Sequence, residues 1–359
     1  MTSHPQSAAA LSSTVTTADL LGIDHNTGSY LGGAGGVIVH HTASGDVLDN
    51  LPDRVNVNAI LNVGRDALGH DEVYAASDHG ALYYQAGGNA WCRLNVPPAV
   101  FAENLHAIAS LGSGRVEVVG TDGLIMELTG AAGCGATFIV DARVPGSPAL
   151  NAIRHLANGV VVAAGDAGTM VVGHADSTIH HLLFSPVVSG TLANLYGLAP
   201  SASGVIAVGA GGAVIDGFLT VDPQTTLPGL VTTVLTGIPT VAGLRDAASD
   251  LGTLVPTVVA VGDGGTILRS VDGGLTWSVT ASGTTANLHG VQLTDVNGGL
   301  AVGAAGTLVQ ISFSGSPAPS PSPTATATST PTASPSGTPT STPNPTSTPS
   351  PTGSPTSTP

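Results

Sequence analysis

No lysine occurs anywhere in this chain, and its positive charge rests on arginine alone: eight basic residues face 23 acidic ones, for a net charge of −15. That balance excludes the basic stripe that nucleic-acid binding needs to displace counterions, and it disfavours an anionic membrane surface. It also removes a P-loop lysine, a Schiff-base lysine and a Ser–Lys dyad. Aromatic residues are only 3% of the chain, which is lean for an enzyme that stacks sugar rings. No run of apolar residues is long enough to suggest a membrane-spanning helix. Met1 to Ser7 has neither the basic nor the apolar region of a signal peptide; the expectation is a mature form or a fragment of a longer reading frame.

What is present is a repeat. The signature Gly-x-x-Gly-x-aliphatic, or a close variant, occurs at 33–38, 77–82, 120–125, 165–170, 209–214, 262–267 and 303–308. Its fourth residues, Gly36, Gly80, Gly123, Gly168, Gly212, Gly265 and Gly306, stand 44, 43, 45, 44, 53 and 41 residues apart. A period near 44 with several short strands in each copy marks a propeller blade. The fold expected is all-β: a seven-bladed propeller of four-stranded antiparallel blades over 10–313. A flexible 1–9 precedes it and a disordered Pro/Ser/Thr tail over 314–359 follows.

The strands can be read from the last two copies. Residues 287–293, 299–302 and 307–311 form three strands of the last blade, which has no fourth of its own. Residues 276–280 supply the fourth strand of the blade before it. The segment 10–17 has the right phase to fill the vacant slot, close the ring and cover its edges. Cys92 and Cys134 fall 12 and 11 residues after their repeat glycines, at near-equivalent places on neighbouring blades. Such places should exceed disulfide reach, so two unpaired thiols are expected unless 130–135 departs locally. The uncharged tail cannot bury enough surface to order itself. It reads either as an O-glycosylated stalk or as an unmodified linker, and both place the chain at the cell surface or outside the cell.

Ser270-Val271-Asp272-Gly273-Gly274-Leu275-Thr276-Trp277 matches the Asp-box pattern at its fixed positions Ser270, Asp272, Gly274, Thr276 and Trp277. The aspartate can accept amide hydrogen bonds of its own turn and glycine can take positive φ, so the motif is structural. Residues 87–91 look like a degenerate copy. With Val258 to Arg269 leading into it, the chain resembles the BNR/Asp-box propellers, above all the photosystem II stability/assembly-factor group and its non-photosynthetic bacterial relatives. The resemblance is strong over 241–312 and periodic over the rest. It implies a seven-bladed ring acting as a non-catalytic assembly or binding platform. The photosynthetic members present an arginine-rich patch to their partner; the arginines here are scattered.

Ring symmetry nominates a site. The position after the first-strand leucine, or its equivalent, is Leu21, Asn58, His106, Asn151, Tyr196, Ala242 and His289, five of them polar. These should circle one mouth of the central tunnel. Asp78, Asp166 and Asp263 follow the first signature residue in three blades and should lie on the same face. They could form a shallow polar binding site. Alternatively, the aspartates only shape turns, and His and Asn only satisfy backbone at strand starts. His40-His41 and His180-His181 invite a metal reading, but neighbours on a strand point to opposite faces. Asp71-Glu72 reads as a solvated pair in a loop. No cofactor or metal is expected. The leading expectation is a non-enzymatic, secreted or surface-displayed platform for a protein or glycan partner, with no nucleic acid and no direct membrane span. A glycan-active hydrolase of the Asp-box type and a self-assembling surface-layer or filament component are the alternatives.

Overall fold

A computed structural model describes residues 7–12 and 16–313, apart from 28, 43, 111–114, 130–132, 157–158, 176–181, 222–227, 251, 253 and 296–297. The tail reading and His180-His181 therefore lie outside the described residues. Among these residues 28 strands form seven four-stranded antiparallel sheets, as expected.

From the centre outward, blade 1 is Leu20–Ile23, Tyr30–Gly33, Val37–Thr42 and Gly45–Asn50. Blade 2 is Val57–Arg65, Asp71–Ser77, Leu82–Ala86 and Cys92–Arg93; blade 3 is Leu105–Ser110, Val116–Gly120, Leu124–Thr129 and Thr137–Arg143. Blade 4 is Leu150–His155, Val161–Gly165, Met170–Ala175 and Leu182–Val187; blade 5 is Leu195–Pro200, Gly204–Gly209, Val214–Val221 and Pro228–Val234. Blade 6 is Leu244–Asp250, Thr257–Gly262, Ile267–Ser270 and Ser278–Thr280. Blade 7 takes Leu288–Asp295, Gly298–Gly303 and Thr307–Ser312 from the end of the ring and Ser7–Ser12 from its beginning. The closing strand pairs antiparallel with the last one, Ser7 opposite Ser312 and Ser12 opposite Thr307. It lies a few residues earlier than the expected 10–17, so part of the segment read as flexible belongs to the ring.

The innermost strands of successive blades pack against one another all the way round, the first against the last. Each second strand is enclosed by a neighbour on both faces, which is why Val-Val-Ala-Val-Gly (258–262) runs apolar without alternation and is wholly buried. The core accordingly divides into seven apolar clusters, one per blade interface. The signature glycine follows from geometry at those interfaces. At Gly168 the backbone has φ 70° and a Cβ would stand 2.0 Å from the Thr191 carbonyl oxygen. At Gly306 the values are 69° and 2.1 Å, to Thr16. Any side chain there would collide with the segment leading into the next blade.

The expectation of free thiols is corrected. Cys92 and Cys134 form a disulfide with Cα atoms 5.7 Å apart, inside the usual range. The strict blade equivalence fails because blade 2 ends in a strand of two residues, Cys92–Arg93. The chain of blade 3 then folds back over that short rim: Thr137 makes a parallel bridge to Asn95, and the Phe138 amide donates to the Asn95 carbonyl at 3.1 Å.

Candidate functional site

Every innermost strand carries a register break at the same place near its start, and those of blades 2 and 7 carry a second one further along. Opposite a single step of the second strand, the first strand advances by two residues between Leu20 and Gly22, Val57 and Ala59, Leu105 and Ala107, and Leu150 and Ala152. The same break lies between Leu195 and Gly197, Leu244 and Asp246, and Leu288 and Gly290. A bulge re-aims the side chain of its extra residue. The seven extra residues, Leu21, Asn58, His106, Asn151, Tyr196, Arg245 and His289, all line one central cavity of about 310 Å³.

Six of these seven are the positions expected to ring the tunnel. The seventh is a correction: Ala242 lies in the loop before blade 6, its amide bonded to the Thr240 hydroxyl at 3.0 Å. Arg245 takes its place. The register slipped because blade 6 belongs to the longest repeat, yet a local signal existed. In the other blades the bulge stands in Leu/Val-x-Gly/Ala-Ile/Leu/Val, and Leu244-Arg245-Asp246-Ala247 keeps the leading leucine and an apolar fourth residue but has an aspartate in the small position.

The polar ring residues first serve the ring itself. The amide of Asn58 donates to the Leu105 carbonyl at 3.0 Å and that of Asn151 to the Leu195 carbonyl at 3.0 Å. Nδ1–H of His106 donates to the Leu150 carbonyl at 3.1 Å, and that of His289 to the Leu20 carbonyl at 2.9 Å. Four blades are thus tied to the next through an otherwise buried strand-start carbonyl, and each histidine keeps Nε2 for a ligand. Tyr196 and Arg245 are arranged differently. The Arg245 guanidinium sits over the Tyr196 ring, 5.0 Å from its centroid.

The three turn aspartates lie on this face, each held by the bulge residue of its own blade. Asp78 accepts from Asn58 at 2.7 Å and from Asn56 at 2.9 Å; Asp166 accepts from Asn151 at 3.0 Å. Asp263 takes Nε and Nη2 of Arg245 at 2.8 and 3.1 Å. That bidentate bond, with the charge of Asp263, holds the guanidinium above its ordinary value against the opposing effect of burial.

Deeper in the tunnel Arg154, His25 and Asp246 line the cavity wall. Asp246 accepts the Val291 amide at 3.0 Å, with His25 Nε2 at 3.3 Å and Arg154 Nη2 at 3.9 Å. Burial pulls the Arg154 guanidinium down from its ordinary value, opposed by the charges of Asp246 and Asp24. Sequence reasoning missed these three. Asp246 was findable as the one acid in a slot that is Gly or Ala elsewhere.

The turn 270–277 is a closed hydrogen-bond unit. Asp272 accepts from the Ser270 hydroxyl at 2.7 Å, the Thr276 amide at 2.9 Å and the Thr276 hydroxyl at 2.5 Å. The Ser270 hydroxyl takes the Gly274 amide at 2.8 Å, and Trp277 Nε1–H donates to the Gly274 carbonyl at 2.8 Å. None of its residues borders the central cavity. His40 and His41 go separate ways, His40 stacking on Tyr30 with centroids 4.2 Å apart and His41 meeting Asp46 at 2.5 Å. The reading of Asp71-Glu72 as a solvated loop pair is corrected. They open a strand of blade 2, where Asp71 accepts from Arg65 at 3.1 Å and from the Tyr30 hydroxyl at 3.2 Å, and Glu72 from the Tyr84 hydroxyl at 2.5 Å.

Among solved structures the chain is similar to YCF48 from Cyanidioschyzon merolae, with a TM-score of 0.63 at 17% identity over 85% of this chain and 98% of that one. It is also similar to YCF48 bound to D1 peptide, with a TM-score of 0.59 at 17% identity over 88% of this chain and 97% of that one. At this identity the likeness shows the shared propeller fold. No protein-family profile matches the chain, and no curated protein matches it.

Proposed function

We propose that the chain is a non-catalytic platform that binds a protein partner, seating an extended segment across the tunnel mouth, and that it works outside the cytoplasm. The observation that carries this reading is the set of seven bulges, which aim chemically different side chains into one cavity from an otherwise repetitive scaffold. Histidine Nε2 atoms, the stacked Tyr196–Arg245 pair, and the Oδ1 acceptors of Asn58 and Asn151, whose amide N–H groups are already used within the ring, suit the alternating backbone and side-chain groups of a peptide. A fold neighbour that carries a bound peptide supports the same class of partner. Hydrolysis of a glycan would need two carboxylates about 5–10 Å apart and free to react. The acids near this cavity are instead engaged with Asn58, Asn151, Arg245, His25 and the Val291 amide. The disulfide supports an oxidising compartment, in keeping with a secreted or surface-displayed protein and with the stalk reading of the tail.

The test is a displayed random-peptide library panned on the oxidised full chain, followed by calorimetric titration of the enriched peptides. Tyr196→Ala is the cleanest variant because no inter-blade hydrogen bond of the kind made by Asn58 or His289 depends on it. A loss of about tenfold in affinity, roughly 1.4 kcal/mol, is expected there and in Arg245→Ala. Enriched peptides that bind both variants as tightly as wild type would refute the site. Hydrolysis of a polysaccharide panel by wild type would refute the non-catalytic reading.

A further inference from the structure

An open strand edge invites pairing with another chain, so folded proteins blunt such edges with charge, proline, brevity or a cover. Six blades here do so or offer little to pair with. Blade 1 carries Asp46 and Asp49 on its outer strand, and blades 2 and 6 end in strands of two and three residues. Blade 3 is bridged at Thr137 to Asn95 and carries Asp141 and Arg143; blade 4 has Pro186. Blade 7 ends in Ser7–Ser12, whose central alanines have low strand propensity.

Among the described residues blade 5 has none of these devices. Its outer strand Pro228–Val234 is seven residues long, uncharged and rich in Val and Thr, with its only proline at the first position. Among the described residues no backbone hydrogen bond reaches it from outside its own sheet. Val231 is 59% exposed, as is its cross-strand partner Phe218 at 54%. The rim beside it adds Val188, whose carbonyl accepts the Thr232 hydroxyl at 2.5 Å.

We infer that this edge is a self-association surface: two copies of the chain pair antiparallel through 228–234 about a twofold axis at Val231. The argument for a second copy as occupant is charge. A chain of net charge −15 repels itself over most of its surface, and self-pairing of the blade 1 edge would set Asp46 against Asp49 of the copy. About Val231 the pairing sets Leu230 against Thr232, Gly229 against Thr233 and Pro228 against Val234, with no charge opposed. A seven-residue ladder is about 24 Å long, small beside a standard interface, so the dimer should depend on concentration and strengthen as salt screens the net charge. This surface is separate from the tunnel mouth and stands or falls without it.

The experiment is sedimentation of the oxidised full chain over a wide concentration range, for wild type, Val231→Lys and Leu48→Lys, with circular dichroism confirming that each is folded. Wild type and Leu48→Lys should pass from monomer to dimer together, and Val231→Lys should remain monomeric. Val231→Cys offers a second readout, because both native cysteines are already bonded and facing Cα atoms in an antiparallel pair lie about 4.5–5.5 Å apart, within disulfide range. Oxidation should give a covalent dimer across the twofold axis. Wild type that stays monomeric throughout, Val231→Lys that dimerises like wild type, or Val231→Cys that fails to cross-link would each overturn the proposal.

Discussion

Blades 1 to 3 and blades 4 to 6 share one backbone plan but manage their surfaces in opposite ways. The first three hold five of the eight arginines, most of the ion pairs and the disulfide. Between Arg154 and Arg245 the chain has no arginine at all. Blades 4 to 6 and their loops expose more large apolar side chains, among them Val188, Leu192, Phe218, Val221, Val231 and Val241, than blades 1 to 3, which expose Val47, Leu48, Leu68 and Phe101. A propeller needs the same core at every interface, and it has one. Its outer edges are free to differ, so blades 1 to 3 form a covalently and electrostatically closed half, while the other half leaves its blade 5 edge open to pairing.

The largest expected effect comes from making the closed half resemble the open one. Reducing the disulfide, or Cys134→Ala, should cost about 3–4 kcal/mol for a loop of this length on the chain-entropy account. Chemical denaturation with and without reductant measures it, and equal midpoints would show that the rim contacts at Asn95 suffice. Next comes alkaline pH. Tyr30, Tyr74, Tyr83 and Tyr84 lie in blades 1 and 2, and burial pushes each hydroxyl up, Tyr74 to about 12, with nearby carboxylates adding to the shift. Since their folded values lie above the ordinary 10.0, the stability they lend is complete below pH 10.0 and lost as pH rises toward 12. Tyr83→Phe should flatten that fall in denaturant titrations run across alkaline pH.

Asn151→Ala at the boundary of blades 4 and 5 would leave the Leu195 carbonyl and one oxygen of Asp166 without their donor. A loss of about 1–3 kcal/mol follows, readable by denaturant titration, against almost none for Leu21→Ala at the mouth. The smallest effect is a gain. Ala167 and Ala305 hold φ 52° in their turns, where Gly35, Gly211 and Gly264 sit in three other blades. Replacing either by glycine should stabilise by about 1 kcal/mol by removing strain, partly offset by unfolded-state entropy. A lower melting temperature would contradict that.

The ring was legible because periodicity survives any one blade. The signature glycines mark the tight approach of each turn to the next blade, and the vacant fourth strand after Ile311 pointed to closure from the N-terminus. Most of the tunnel mouth was legible for the same reason: Asn58, His106, Asn151, Tyr196 and His289 stand at equivalent places. What escaped were departures from the repeat. Arg245 was hidden by a register shift in the longest repeat, and the pairing of Cys92 with Cys134 by a short rim strand that equivalence does not foresee. The bulge itself leaves no mark in a two-residue alternation, although it turns a strand start into a ring of inward-facing side chains. The Asn58–Asp78, Asn151–Asp166 and Arg245–Asp263 pairs could have been found by comparing blades, since an aspartate turn goes with an amide or guanidinium donor at the bulge.

Hydrogen exchange of the oxidised chain with and without a library-selected peptide tests the central claim most directly. Binding at the mouth predicts protection of the inner strands around the bulges, at Leu105–Ser110, Leu195–Pro200 and Leu244–Asp250, and none at the blade 5 rim. Protection confined to Pro228–Val234 or other outer strands, with the inner strands unchanged, would contradict it.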